Sequence, residues 1–138
     1  MTALPVIDIE SALVAWLRAD AAVVALASGG IYSELPRAPT FPAVRVWRVG
    51  GAPPHDRPLT HDGPLIQLDA WGGTKAQASK LAEACRDRIA DAYSHDLGGG
   101  IVVGRVAWSN LSYDPDASYT PARPRFRADA LLTHHRPT

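Results

Sequence analysis

The chain has 138 residues, 46% of them hydrophobic and 20% charged, and its fourteen basic and fourteen acidic side chains cancel. That length suits a single domain, residues 1–138, with a core of its own, and zero net charge removes any global pull toward nucleic acid or an anionic membrane. One cysteine, Cys85, excludes an internal disulfide framework and fits synthesis in a reducing cytosol, while no apolar run nears the ~20 residues of a membrane span and no basic-then-apolar leader opens the sequence.

After a short lead containing Pro5, Asp8 stands as a helix N-cap, with Ile9, Ala12, Leu13, Trp16 and Leu17 following at helical spacing. Asp20 to Ala27 can add a short second helix before Gly29-Gly30 ends it. Ile31-Tyr32-Ser33 reads as a brief strand, Leu35 to Pro42 as an irregular connector, and Ala43 to Val49 as a clear strand. Gly50 to Gly63 is a loop long enough to suggest function or mobility. Pro64 to Trp71 is the central strand: Ile66, Leu68 and Ala70 share one side, and Leu65, Gln67, Asp69 and Trp71 the other. Gly72-Gly73 breaks it, and Thr74 with Gln77 has the spacing of a capping box. Ala78, Leu81, Cys85, Ile89 and Ala92 then mark the apolar face of a helix that stops near His95. Cys85 on that face reads as a small buried hydrophobe in preference to a nucleophile. Gly98-Gly99-Gly100 turns into a strand from Ile101 to about Leu111. A polar loop, Ser112 to Ala122, leads to a last strand, Arg123 to His134, forming a hairpin with a floppy tip. The order α-β-β-β-α-β-β predicts an α+β fold: one mainly antiparallel sheet with two principal helices packed on it.

Chemistry-bearing patterns are few. His55-Asp56, His61-Asp62 and His95-Asp96 hold the raw material of zinc sites and general bases, but adjacent residues chelate one ion poorly and read as turn residues. His134 and His135 point to opposite sides of a strand. The triple glycine follows a helix, so it offers a negative helix end in place of a phosphate cradle. Asp114 and Asp116 flank Pro115 as turn residues. Arg123, Arg125 and Arg127 recur at two-residue steps, ~7 Å apart, with Phe126 on the reverse. They stand either as a solvated strand face or as a contact with DNA phosphates or a partner's carboxylates. Pro121 and Pro124 put the start of this strand at an edge.

The two sheet faces are unequal. One collects Val44, Val46, Ile66, Leu68, Ala70, Val102, Val106, Trp108, Phe126, Ala128, Ala130 and Leu132, and helices can cover it. The other carries Trp47, Val49, Leu65, Trp71, Ile101, Val103 and Leu131. If both helices sit on the first face, the second needs another chain; one helix on each face removes that need.

Several fragments in this order resemble the tail terminator (tail completion, head-tail joining) family of long-tailed bacteriophages and related tailed particles. They are Leu13-Val-Ala-Trp-Leu and Asp20-Ala-Ala-Val-Val-Ala-Leu, then Gly30-Ile-Tyr-Ser and Phe41-Pro-Ala-Val-Arg-Val. Leu65-Ile-Gln-Leu-Asp-Ala-Trp leads through Thr74 into the helix, and Leu111-Ser-Tyr-Asp-Pro and Arg125-Phe-Arg-Ala-Asp-Ala-Leu close the pattern. The resemblance implies a structural virion protein, made in the host cytoplasm and located in the neck region of the tail. It further implies a hexameric ring that caps the tail tube protein, ends tail polymerisation and docks a head-side neck or stopper protein. DNA would pass through the lumen without sequence-specific binding, and no membrane, cofactor, metal or catalytic residue is called for.

The candidate ring or axial interface comprises Trp47, Val49, His55, Arg57, His61, Trp71, Tyr113, Asp116, Tyr119, Arg123, Arg125 and Arg127. The loops Gly50 to Gly63 and Ser112 to Ala122 are expected to make axial contacts. Two rival readings stay open: another neck component, such as a head-closure or connector ring, and a small ligand-binding or enzymatic α+β domain with a pocket near His55 and His61. A nucleic-acid module fits least, because basic and aromatic residues are not interleaved.

Overall fold

A computed structural model describes residues 8–98 and 100–136. The Pro5 lead and the middle residue of the triple glycine, Gly99, lie outside them. The described residues form helices α1 (Ile9–Arg18), α2 (Ala21–Leu26) and α3 (Lys75–Ala90). The strands are β1 (Ile31–Tyr32), β2 (Ala43–Gly51), β3 (His61–Asp62), β4 (Pro64–Trp71), β5 (Val103–Trp108), β6 (Ser112–Tyr113) and β7 (Arg125–His135).

Each helix begins where the sequence supplies a cap. The Asp8 carboxylate accepts from the amides of Glu10 and Ser11, and Asp20 accepts from Ala22. Thr74 accepts from the amide of Gln77, whose side chain reaches back to the Gly73 amide 2.9 Å away. Side chains then fix the helices in place. Arg88 lies 3.6 Å over the Trp16 ring, and the two residues exchange hydrogen bonds through each other's carbonyls, which clamps α1 to α3. Glu10 accepts from the Arg48 amide at 2.8 Å, tying α1 to β2.

The α+β class stands as expected, with refinements. β2, β4 and β7 form the antiparallel centre of a mixed seven-stranded sheet, and β1 runs parallel to β2 at one edge. β5 and β6 pair with the far side of β7. Each long loop contributes a two-residue strand, β3 and β6, that the sequence does not announce.

All three helices cover the same sheet face. Leu13, Leu17, Val23, Leu81, Cys85 and Ile89 share one core with Val44, Val46, Ile66, Leu68, Ala130 and Leu132, which belong to a single alternation set of the strands. Among the described residues the second face therefore carries no helix. One assignment of faces is corrected, though. The register of β5 shifts between Val103 and Arg105, so the extra residue at Gly104 inverts the alternation before it. Ile101 and Val103 are buried in the core, and Val102, expected inside, is exposed.

Candidate functional site

The uncovered face is built from the odd-numbered positions of β2, β4 and β7. Register aligns Arg45 with Asp69 and Asp69 with Arg127, so one carboxylate stands between two guanidiniums. Asp69 is fully buried beneath them. Its Oδ2 accepts from Arg45 Nη2 at 2.7 Å, Arg45 Nε at 3.0 Å and Trp47 Nε1 at 3.0 Å. Its Oδ1 accepts from Arg127 Nε at 2.6 Å and Gln67 Nε2 at 3.0 Å. Burial alone would raise this carboxyl's pKa, but the bonds from Arg45, Gln67 and Arg127 outweigh it and hold the pKa below the ordinary carboxylate range.

The network continues into the segment between β6 and β7. Asp114 accepts from Arg125 and Arg127, each at 3.1 Å. Asp116 accepts from the Trp71 indole at 2.8 Å and from Ser118, and these bonds overcome its partial burial to lower its pKa. Arg123 stacks 4.0 Å from the Phe41 ring, which meets Tyr119 edge-on at 5.6 Å. The hairpin tip is consequently fastened to the sheet by carboxylates and aromatic rings, where the sequence suggested a floppy one.

The opposite end of the uncovered face is a cleft of about 890 Å³ beside the last residues of β7. Arg57, His61, Arg105, His134 and His135 help to line it. His61 and His135 meet edge-on at 5.0 Å. Burial and then the charges of Arg57 and His135 push the His61 pKa down. His134 is buried and its pKa is lowered, chiefly by that burial. Neighbouring Asp62 is held bidentately by Arg48 at 2.6 and 3.1 Å. Among the described residues no group of three His, Cys, Asp or Glu side chains is placed to hold a metal ion. On the helix side, burial pushes the Cys85 thiol up to about 12, the environment of a packed hydrophobe.

The structure sorts the sequence-derived candidates unevenly. Val49 and Tyr113 are exposed, and Trp47 is half-buried on the uncovered face. His55 and Arg57 are exposed on the loop before β3. Trp71 is corrected: at 2% exposure it is buried by Phe41, Arg125 and Asp116 and offers no surface. Arg123, Arg125 and Arg127 are no free cationic stripe, because rings and carboxylates of the same chain occupy them. With Trp71, Ile101 and Val103 buried, the apolar part of the uncovered face contracts to Trp47, Leu65, Val49 and Leu131, the last 44% exposed. Sequence reasoning missed Arg45 and Asp69 as partners and Arg105 and His135 as cleft residues. The readable signal was Asp69, an acid in the middle of an apolar strand, which requires partners on the adjacent strands.

A family model described as Tail completion protein gp17 matches residues 11–129. No curated protein matches the sequence. Among solved structures 18 chains match. One belongs to "Virion of native gene transfer agent (GTA) particle"; it is 16% identical, has a TM-score of 0.57, and the match covers 93% of each chain. At that identity the likeness is one of fold.

Proposed function

The chain belongs to the tail completion protein gp17 family and is a structural protein of a virion tail, and from that premise we propose that it forms a hexameric ring that caps the tail tube. The ring ends tube growth and gives the head-side neck protein a surface to dock on. The observation that carries this reading is the one-sided sheet. All three helices cover one face, and the other is left with an apolar strip of Trp47, Val49, Leu65 and Leu131 beside a rigid polar network. Such a face stays soluble in the free subunit and gains from burial against a neighbour.

The fastened Ser112–Ala122 segment, with exposed Tyr113 and half-buried Tyr119, supplies one axial contact, and the 50–63 loop, through exposed His55, supplies the other. Arg125 and Arg127 serve by holding the first of these segments in place. DNA passing through the lumen meets a subunit of zero net charge, which suits passage without base-specific contacts. The role is one of shape and stacking.

Electron microscopy of particles lacking the protein tests the proposal. Overlong tails without heads, rescued by added protein seen as rings at tail ends, are the expected result. Tails of normal length joined to heads in its absence would overturn the reading.

A further inference from the structure

Two charged patches lie on opposite sides of this subunit, and among the described residues neither is neutralised by a hydrogen-bonded ion pair. The first is the cleft at the end of the sheet. Leu131 is on the uncovered face, so Thr133 and His135, two and four residues further along β7, share that face, as do their register partners Arg105 and His61. No carboxylate side chain is among the described residues lining the cleft. Arg105 is exposed and makes no hydrogen bond or ion pair among the described residues. Arg57 has only Asp56, 3.6 Å away in an exposed pair. His134, 1% exposed, also lines the cleft; its Nε2 makes no hydrogen bond among the described residues and lies 4.0 Å from Asp62 Oδ2.

The second patch is on α3. Glu83, Asp87 and Asp91 follow at four-residue steps on one helix face, all three exposed, and with Lys80 the one base on that face it stays net acidic. That face points away from the sheet, because Leu81, Cys85 and Ile89 are the residues buried against the core.

A cationic cleft on one side and an acidic helix face on the other are complementary in charge, as a heterologous contact requires, and such a contact makes a ring when its rotation closes. We propose that the cleft of one copy receives the Glu83, Asp87 and Asp91 face of the next copy's α3, head to tail, an inference that rests on the ring reading above. The chain's acidic and basic residues balance, so no net repulsion opposes the approach of copies.

Charge reversal tests the pairing, since every altered side chain is exposed. One variant carries Arg57→Glu with Arg105→Glu, the other Asp87→Arg with Asp91→Arg; circular dichroism verifies that both fold. Light scattering at low salt should show each variant alone self-associating at least about tenfold more weakly than the parent, because like charges now face each other. An equal mixture should recover association, since each copy's cleft then meets the opposite charge on its neighbour. Supplied to particles lacking the protein, either variant alone should leave tails uncapped, and both together should cap them.

Rings that persist in both single variants, or a mixture that recovers nothing, overturn the pairing and leave the ring reading standing. A parent protein absent from tail ends overturns both. If reversing the cleft abolishes binding of a short DNA duplex while self-association is unchanged, the cleft takes phosphate and the pairing is wrong.

Discussion

Replacing Asp69 with asparagine tests whether the polar centre of the uncovered face holds the sheet together. The change keeps shape and removes charge. It also turns one acceptor into a donor, which then faces either Arg45 and Trp47 or Gln67 and Arg127. Removing one partner of a buried ion pair costs ~3–5 kcal/mol. The Arg45 and Arg127 side chains are 27% and 32% exposed, so water recovers part of that, and about 2–3 kcal/mol is expected for Asp69→Asn. For a chain of this size the melting temperature should fall by about 6–12 °C. Urea unfolding at neutral pH measures the loss. The folded-state pKa of Asp69 is depressed, so its contribution is full above the ordinary carboxylate value of ~3.9 and disappears as pH falls through the lowered one. Variant and parent should therefore converge in acid. A variant within about 0.5 kcal/mol of the parent at neutral pH, with an unchanged urea slope, would refute the account.

Local pattern carried most of the fold into view. Caps at Asp8, Asp20 and Thr74, the apolar face of α3 and the strands β2, β4 and β7 all follow from spacing between near neighbours, and the structure places them accordingly. Register did not show in the sequence. That Asp69 stands between Arg45 and Arg127 depends on how three strands slide against one another, which no single strand encodes. The bulge at Gly104 reversed Val102 and Val103 for the same reason: a period-two reading inverts when one residue is inserted. Trp71 looked like surface because alternation put it on the uncovered face. A loop forty-five residues further along the chain covers it, with Asp116 taking its N–H. The face and the loops that carry the candidate residues were thus legible, and which of their side chains remain free was not.

Trp71→Phe removes the indole donor to Asp116 and shrinks a fully buried ring, and should cost about 2–3 kcal/mol, together with faster proteolysis in the 112–122 segment. An unchanged cleavage rate would mean that the segment is held otherwise. Gly51 has φ +92°, and a Cβ there would lie 2.1 Å from the Gly63 carbonyl oxygen, so Gly51→Ala should destabilise by more than about 1 kcal/mol in urea unfolding. Cys85, buried with its thiol pushed up to about 12, should react with a charged thiol reagent about a hundredfold or more slower in native protein than in denaturant; comparable rates would place it at the surface. The last outcome concerns His134, whose pKa in the fold is lowered, mainly by burial and further by Arg48 and Arg136, against the raising effects of its bond to the His135 backbone and of Asp62. The folded state thus favours the neutral ring. Its contribution is full above the ordinary histidine value of ~6.5 and is lost as pH falls from there through the lowered one. His61, lowered in the same direction, adds to that slope, so His134→Gln should flatten the decline in unfolding free energy below neutrality without abolishing it. An identical slope in parent and variant would show that the proton enters elsewhere.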